Sequence, residues 1–172
     1  PIAGGFTISR GTKTEAVVMT CSIAQSGRIG RGECVPYARY GETSQSVRAQ
    51  IEAAADAISG GVDRLHLLSL MRPGAARNAV DCALWDLEAK LTGKRVAERV
   101  CSAPPVALET AYTLSLGSPE ARAAQARDNA ERPLLKVKIG GEGDIARIRA
   151  VVEAAPDSRI ILDANEAWTE RN

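Results

Sequence analysis

Two short segments carry side chains whose types and spacing suit proton chemistry. The first is Lys136-Val137-Lys138 inside LLKVKI. In a β-strand, residues two apart point to the same face, about 6–7 Å from each other. Lys136 and Lys138 then face one way while Leu135 and Val137 face the other. Two ammonium groups on an inner face are costly unless carboxylates or a ligand offset them. Desolvation and a neighbouring positive charge both favour the neutral amine, the form that can act as a base. The competing reading is an edge strand with two solvated lysines. The second segment is Ile160-Ile161-Leu162-Asp163-Ala164-Asn165. An aspartate at the C-terminal end of an apolar parallel strand stands where α/β folds hold ligands and metals, and a hard cation such as Mg²⁺ takes carboxylate oxygens there. The competing reading makes Asp163 a cap for a following helix. On adjacent strands of one barrel, both lysines and the carboxylate would meet at a single mouth.

Other features point to no second chemistry. The GGEG at 140–143 lacks a following Gly-Lys-Ser/Thr and lacks G-x-G-x-x-G spacing, so it reads as a plain β-to-α loop. Asp81, Asp86 and Glu88 lie on one helical stretch and read as surface ion-pairing groups. The single histidine, His66 in LHLLSL, is expected to pack or cap locally, and it rules out a zinc site built from several histidines in this chain. Cysteines at 21, 34, 82 and 101 form no C-x-x-C and are expected to be reduced and buried. Lys+Arg 22 against Asp+Glu 21 leaves a net charge of +1, which argues against a nucleic-acid partner bound through a basic field. No apolar run approaches a membrane span, and PIAGGFTISRG carries no basic start followed by an apolar region, so a cytoplasmic location with no membrane partner is expected.

Six aromatic residues against 29 alanines imply a core of small aliphatic side chains suited to close helix packing. Residues 15–25 and GRGECVPY read as a β-hairpin turning through SGRIG. SQSVRAQIEAAADAIS reads as one helix with Val47, Ile51, Ala54 or Ala55 and Ile58 on its apolar face, capped by Thr43 or Ser44. A second helix spans about Ala75–Leu91, with the stripe Ala76, Val80, Leu84, Leu87 and Leu91 and Gly93 at its C-cap. Pro104-Pro105 marks a boundary. Beyond it come strand-like ALETAYTLSL, a helix opened by Ser118 and Pro119 and running to about Glu131, the strand LLKVKI, a helix from Asp144 to about Ala155, and the strand RIILDAN. The order β-α-β-α-β has crossovers long enough for parallel pairing. The expected division is 1–105, an α+β domain, and 106–172, an α/β segment.

The phrases GRGECVPYARYGET, AARNAVDCALWDLEAK, KVK and LDAN together resemble the enolase superfamily, in its muconate-lactonizing-enzyme subgroup. With FTISRGTKTEA, they look most like L-Ala-D/L-Glu dipeptide epimerases. The resemblance implies an α+β capping domain followed by the first strands of an α/β (modified TIM) barrel, incomplete in this chain. It implies that Lys138 is an acid/base, that Lys136 stabilises an enolate, and that Asp163 is the first of three carboxylate ligands to Mg²⁺, with Asn165 beside it. Thr113, at the end of the first barrel strand, would contact substrate. Lys13, in the loop after Phe6–Ser9, would hold a substrate carboxylate where the family pattern has an arginine, which a lysine meets without a bidentate fork. Tyr37 to Thr43 would be a second specificity loop. The implied reaction is 1,1-proton transfer on a dipeptide by a homo-oligomer. Its second acid/base and remaining metal ligands are expected in further chain, since Val106 to Asn172 suits three barrel strands and a whole barrel takes about 250 residues. Alternatives are an o-succinylbenzoate synthase or muconate cycloisomerase, or a catalytically incomplete fragment with a scaffold role.

Overall fold

The computed structural model describes residues 1–2 and 5–170. In chain order the elements are β1 (Phe6–Ile8), β2 (Gly11–Lys13), β3 (Met19–Gln25), β4 (Arg28–Cys34), a 3₁₀ turn (Ala38–Tyr40), α1 (Ser44–Ala53), α2 (Ala55–Ser59), α3 (Arg64–Leu70), α4 (Ala75–Thr92), α5 (Ala97–Val100), β5 (Tyr112–Leu114), α6 (Pro119–Arg127), β6 (Leu134–Lys138), α7 (Asp144–Ala154) and β7 (Arg159–Asp163). They form two compact units, Val17–Val106 and a discontinuous unit of Pro1–Ala16 with Ala107–Asn172. The first sixteen residues, expected within 1–105, therefore pack with the later segment.

In Val17–Val106, β3 and β4 form an antiparallel hairpin in which Gln25 pairs with Arg28. The loop is Ser26-Gly27 alone, tighter than SGRIG suggested. Its φ values of 49° and 72° are the left-handed pair that matches the right-handed twist of two joined strands. Gly30, Gly32 and Cys34 alternate inward along β4 and meet α4. At Gly32 an added Cβ would overlap the Ala79 carbonyl and lie 2.7 Å from the Ala83 amide nitrogen. At Gly30 it would overlap the Ala83 carbonyl and lie 2.6 Å from the Leu87 amide nitrogen. Strand and helix backbones touch. That contact corrects the expected α4 stripe: the buried set is Ala76, Ala79, Val80, Ala83 and Leu87, while Leu84 is half-buried and Leu91 is 40% exposed. Glycines opposite the helix draw Ala79, Ala83 and Leu87 to the closest approach, and Leu84 and Leu91 turn away from it.

The single helix expected after Thr43 is two. Ala54 (φ −90°, ψ −6°) separates α1 from α2. Thr43 does cap α1, reciprocally with Ser46. The helix α3 is an addition to the elements expected from periodicity. Asp63 caps it and also takes the His66 ring at 2.9 Å, so the histidine is a local, exposed partner of the helix cap. Cys21 and Cys34 are buried free thiols, but Cys82 and Cys101 are exposed, against the expectation that all four are buried. Asp86 pairs with Lys90, and Glu88 with Arg64 and Arg99, as helix-surface ion pairs.

In the other unit β5, β6 and β7 form a parallel sheet in that order. Leu114, Leu135, Val137, Ala126 and Val151 make a core with α6 and α7. Two elements are shorter than expected: β5 covers only Tyr112–Leu114, and α6 ends at Arg127 because residues 128–132 close into turns. The antiparallel pair β1–β2 belongs here, tied by the Leu116 amide donating to the Thr7 carbonyl at 2.9 Å.

Candidate active site

Alternation along β6 buries Leu135 and Val137 in the core and turns Lys136 and Lys138 to the opposite face. Parallel register sets Lys138 beside Asp163 of β7 and Lys136 beside Thr113 of β5. Both ammonium groups converge on one atom: Lys136 Nζ and Lys138 Nζ each lie 2.7 Å from Asp163 Oδ2. Lys138 is only 5% exposed, which rules out a solvated edge strand. Its Nζ stands 5.4 Å from the centre of the Phe6 ring, a cation–π contact supplied by β1.

The other carboxylate oxygen, Asp163 Oδ1, accepts the Asn165 amide at 2.9 Å. Asp163 therefore caps a turn, whereas its competing reading had it cap a following helix, and the lysines claim its other oxygen. The Lys136 ammonium foremost, then Lys138, holds the Asp163 carboxyl far below the usual carboxylate range, against the opposing effect of burial. A depressed folded-state pKa contributes stability that is present above the unfolded-state value, about 4, and is lost as pH falls through the folded-state value. Asp163→Asn is thus expected to be less stable than the parent at neutral pH, with the gap closing as pH falls below about 4. Urea unfolding at several pH values checks this, and a gap independent of pH would refute it.

Of the other expected site residues, Thr113 is half-buried on the lysine face. Lys13 is not in a loop: it is the exposed last residue of β2, paired in register with Phe6, because the hairpin turns earlier, at Ser9-Arg10. Arg10, at that turn, reaches the end of β7, where its Nη1 donates to the Asn165 carbonyl at 2.8 Å. Sequence reasoning missed Arg10 and Phe6, since nothing local to FTISRG ties it to segments far along the chain. It also missed Asp144, at the start of α7. That buried carboxylate accepts the Gly140 and Gly141 amides, Trp168 Nε1 and Arg147 Nη1, and so closes the loop after β6. Burial raises its pKa, but these donors together bring it below the ordinary value.

The donor chemistry at Asp163 suits a hard cation. A carboxylate stands at the end of a parallel strand, and nearby Asn165 Oδ1 is buried with no hydrogen-bond partner. Among the described residues no group of three or more His, Cys, Asp or Glu side chains is gathered as a metal centre. Among those residues no helix is long and apolar enough to cross a membrane.

An α+β unit together with parallel β-α-β-α-β strands, presenting two lysines against one aspartate, defines the N-terminal capping domain and opening barrel strands of an enolase-superfamily protein. The chain belongs to the mandelate racemase / muconate lactonizing enzyme family, whose N-terminal domain matches residues 1–100. It is 39% identical over 170 residues to the L-Ala-D/L-Glu epimerase of Escherichia coli K12, covering 98% of this chain and 53% of that protein. Among solved structures, an enolase family member from Agrobacterium tumefaciens with homology to dipeptide epimerases, bound to sodium and L-Ala-L-Glu, is 58% identical with a TM-score of 0.95. The match covers 99% of this chain and 52% of that one. The dipeptide epimerase of Enterococcus faecalis, complexed with Mg and L-Leu-L-Tyr, is 29% identical with a TM-score of 0.85, over 97% of this chain and 51% of that one. The chain spans about half the length of the curated relatives it matches.

Proposed function

We propose that the protein carrying this chain is a Mg²⁺-dependent dipeptide epimerase of the L-Ala-D/L-Glu type. In this reading 1–105 is the capping domain, 106–172 supplies the first three strands and two helices of the barrel, and the protein is a cytoplasmic homo-oligomer. The observation that carries the proposal is the convergence of Lys136 and Lys138 on Asp163 Oδ2. It sits at the C-terminal end of parallel strands, where barrel enzymes do their chemistry. Relatives that act on dipeptides support the substrate class.

An α-proton beside a carboxylate is weakly acidic, so its removal needs both a base at the carbon and positive charge at the oxygens that become the enolate. Lys138, held on β6, takes the α-proton in its amine form from one face of the substrate, and a second acid, in further chain, delivers a proton to the opposite face; in the reverse direction the Lys138 ammonium is the proton donor. Lys136, two residues back on the same face, places its ammonium against the developing oxyanion. Asp163 would hold Mg²⁺ together with carboxylates from further chain, and the bound ion would supply further positive charge at the enolate oxygens. Thr113, Lys13 and Asn165 would bind the dipeptide. Buried and backed by Phe6, the Lys138 side chain loses little on ordering, which favours a base of fixed geometry.

Residues 1–172 expressed alone are expected to show no α-proton exchange and weak Mg²⁺ binding. A polypeptide that carries this chain and completes the barrel is expected to exchange. The measurement is loss of the α-proton signal of L-Ala-L-Glu in D₂O, followed by proton NMR, with Mg²⁺ binding by calorimetry. Turnover by 1–172 alone, or none by the completed protein, would overturn the proposal.

A further inference from the structure

The turn that follows Asp163 is held from outside itself. Asn165 and Glu166 have φ values of 48° and 65°, two consecutive non-glycine residues in the left-handed region. That conformation is strained and persists where surrounding contacts over-determine it. Two of those contacts are local: the Asn165 amide donates to Asp163 Oδ1 at 2.9 Å, and the Ala167 amide to the Ala164 carbonyl at 2.9 Å. Others come from the tip of the β1–β2 hairpin, some 155 residues away. Arg10 Nη1 donates to the Asn165 carbonyl at 2.8 Å, Ser9 Oγ reaches the same oxygen at 3.4 Å, and Arg10 Nη1 lies 3.9 Å from Glu166 Oε1. The same hairpin carries Phe6, which stands over Lys138.

We propose that Arg10 is a positioning residue: by its charge-assisted bond to the Asn165 carbonyl it locks the Asn165-Glu166 turn in its left-handed form, and so orients the Asp163 carboxylate and the partnerless Asn165 amide oxygen. The proposal deepens the epimerase reading and rests on it for the importance of Asp163. The mechanical claim stands on the geometry alone. Without Arg10 the two left-handed residues lose a charged support and relax, and the Asn165 amide leaves Asp163 Oδ1. Asp163 is then free to rotate toward its two lysines.

The test is amide hydrogen exchange of the segment 163–167 in the barrel-complete, substrate-free protein, with Mg²⁺ affinity by calorimetry and kcat and KM for L-Ala-L-Glu exchange. Arg10→Gln is expected to speed exchange at 163–167 by about tenfold, the scale of one hydrogen bond to a charged group. It is expected to leave β6 exchange unchanged, to weaken Mg²⁺ binding, and to lower kcat more than it raises KM. Arg10→Lys, which keeps the charge but offers one donor direction in place of a fork, is expected to restore protection in part. Arg48→Gln, which removes a surface pair with Glu52 on α1, is the control and is expected to change none of these. Parent-like exchange at 163–167 in Arg10→Gln overturns the proposal. So does loss of protection throughout β6 in both Arg10 variants, which would make Arg10 a general stabiliser. An active parent with that result leaves the epimerase reading standing, whereas an inactive parent in which 163–167 still loosens refutes the epimerase reading and keeps the lock.

Discussion

Lys138→Met is expected to lower α-proton exchange at one face of the substrate by a factor of about 10³, within the range that a positioned acid/base contributes, with little loss of fold stability. The two halves of this expectation have separate physical grounds. Lys138 is buried against Asp163 and beneath Phe6, so the methionine side chain fills the volume of the lysine stem. Asp163 is not stranded by the change, because Lys136 holds the same oxygen at the same 2.7 Å. Removing one of two ammonium groups also removes a desolvated charge, whose cost offsets the lost attraction. Exchange should therefore collapse while the urea midpoint moves little. Measuring exchange separately with the L,L and L,D dipeptides in the barrel-complete protein distinguishes a one-face acid/base from a general disturbance. An unimpaired variant would remove Lys138 from the mechanism.

The largest structural effect is expected from Gly32→Ala. The added methyl would sit inside the Ala79 carbonyl and 2.7 Å from the Ala83 nitrogen, both backbone atoms of α4. A flexible side chain could swing away, but a helix backbone moves only by lifting the whole helix from the hairpin. That would open the core formed by Cys21, Cys34, Val47, Ala79, Val80 and Ala83. Overpacking against side chains costs about 1–3 kcal/mol, and an unyielding backbone puts this case at or above the upper end. For Val17–Val106 a loss of about 3 kcal/mol would lower Tm by roughly 12–24 °C. Truncating Ala79 to glycine should give no relief, because the obstacle is its carbonyl and not its methyl. A Gly32→Ala protein that melts with the parent in circular dichroism would show that strand and helix are not in this contact.

Local periodicity makes the candidate reacting groups legible in the residues alone. Residues i and i+2 of a strand share a face, so K-V-K implies two lysines together. An apolar run ending in aspartate implies a carboxylate at a strand end. Both hold on β6 and β7. The caps Thr43, Ser118 and Gly93 are equally readable, because a cap is a contact within a few residues. What the sequence by itself does not determine is which separate segments touch. The G-R-G of β4 carries the same letters as a turn, and only packing against α4 reveals that those glycines admit a helix backbone. The break at Ala54 is invisible in a stretch whose propensity and apolar period both run on through it. The register that sets Lys138 beside Asp163 and Lys136 beside Thr113 comes from how β5, β6 and β7 are aligned by the packing of α6 and α7. Lys13 stands out by its place in FTISRGTKTEA, yet Arg10 makes the contact to Asn165, because the β1–β2 turn falls at Ser9-Arg10 and carries that guanidinium across to the end of β7. Side-chain direction is a property of a few consecutive dihedrals and is written locally. Proximity between residues 155 apart arises only when the whole unit buries its core.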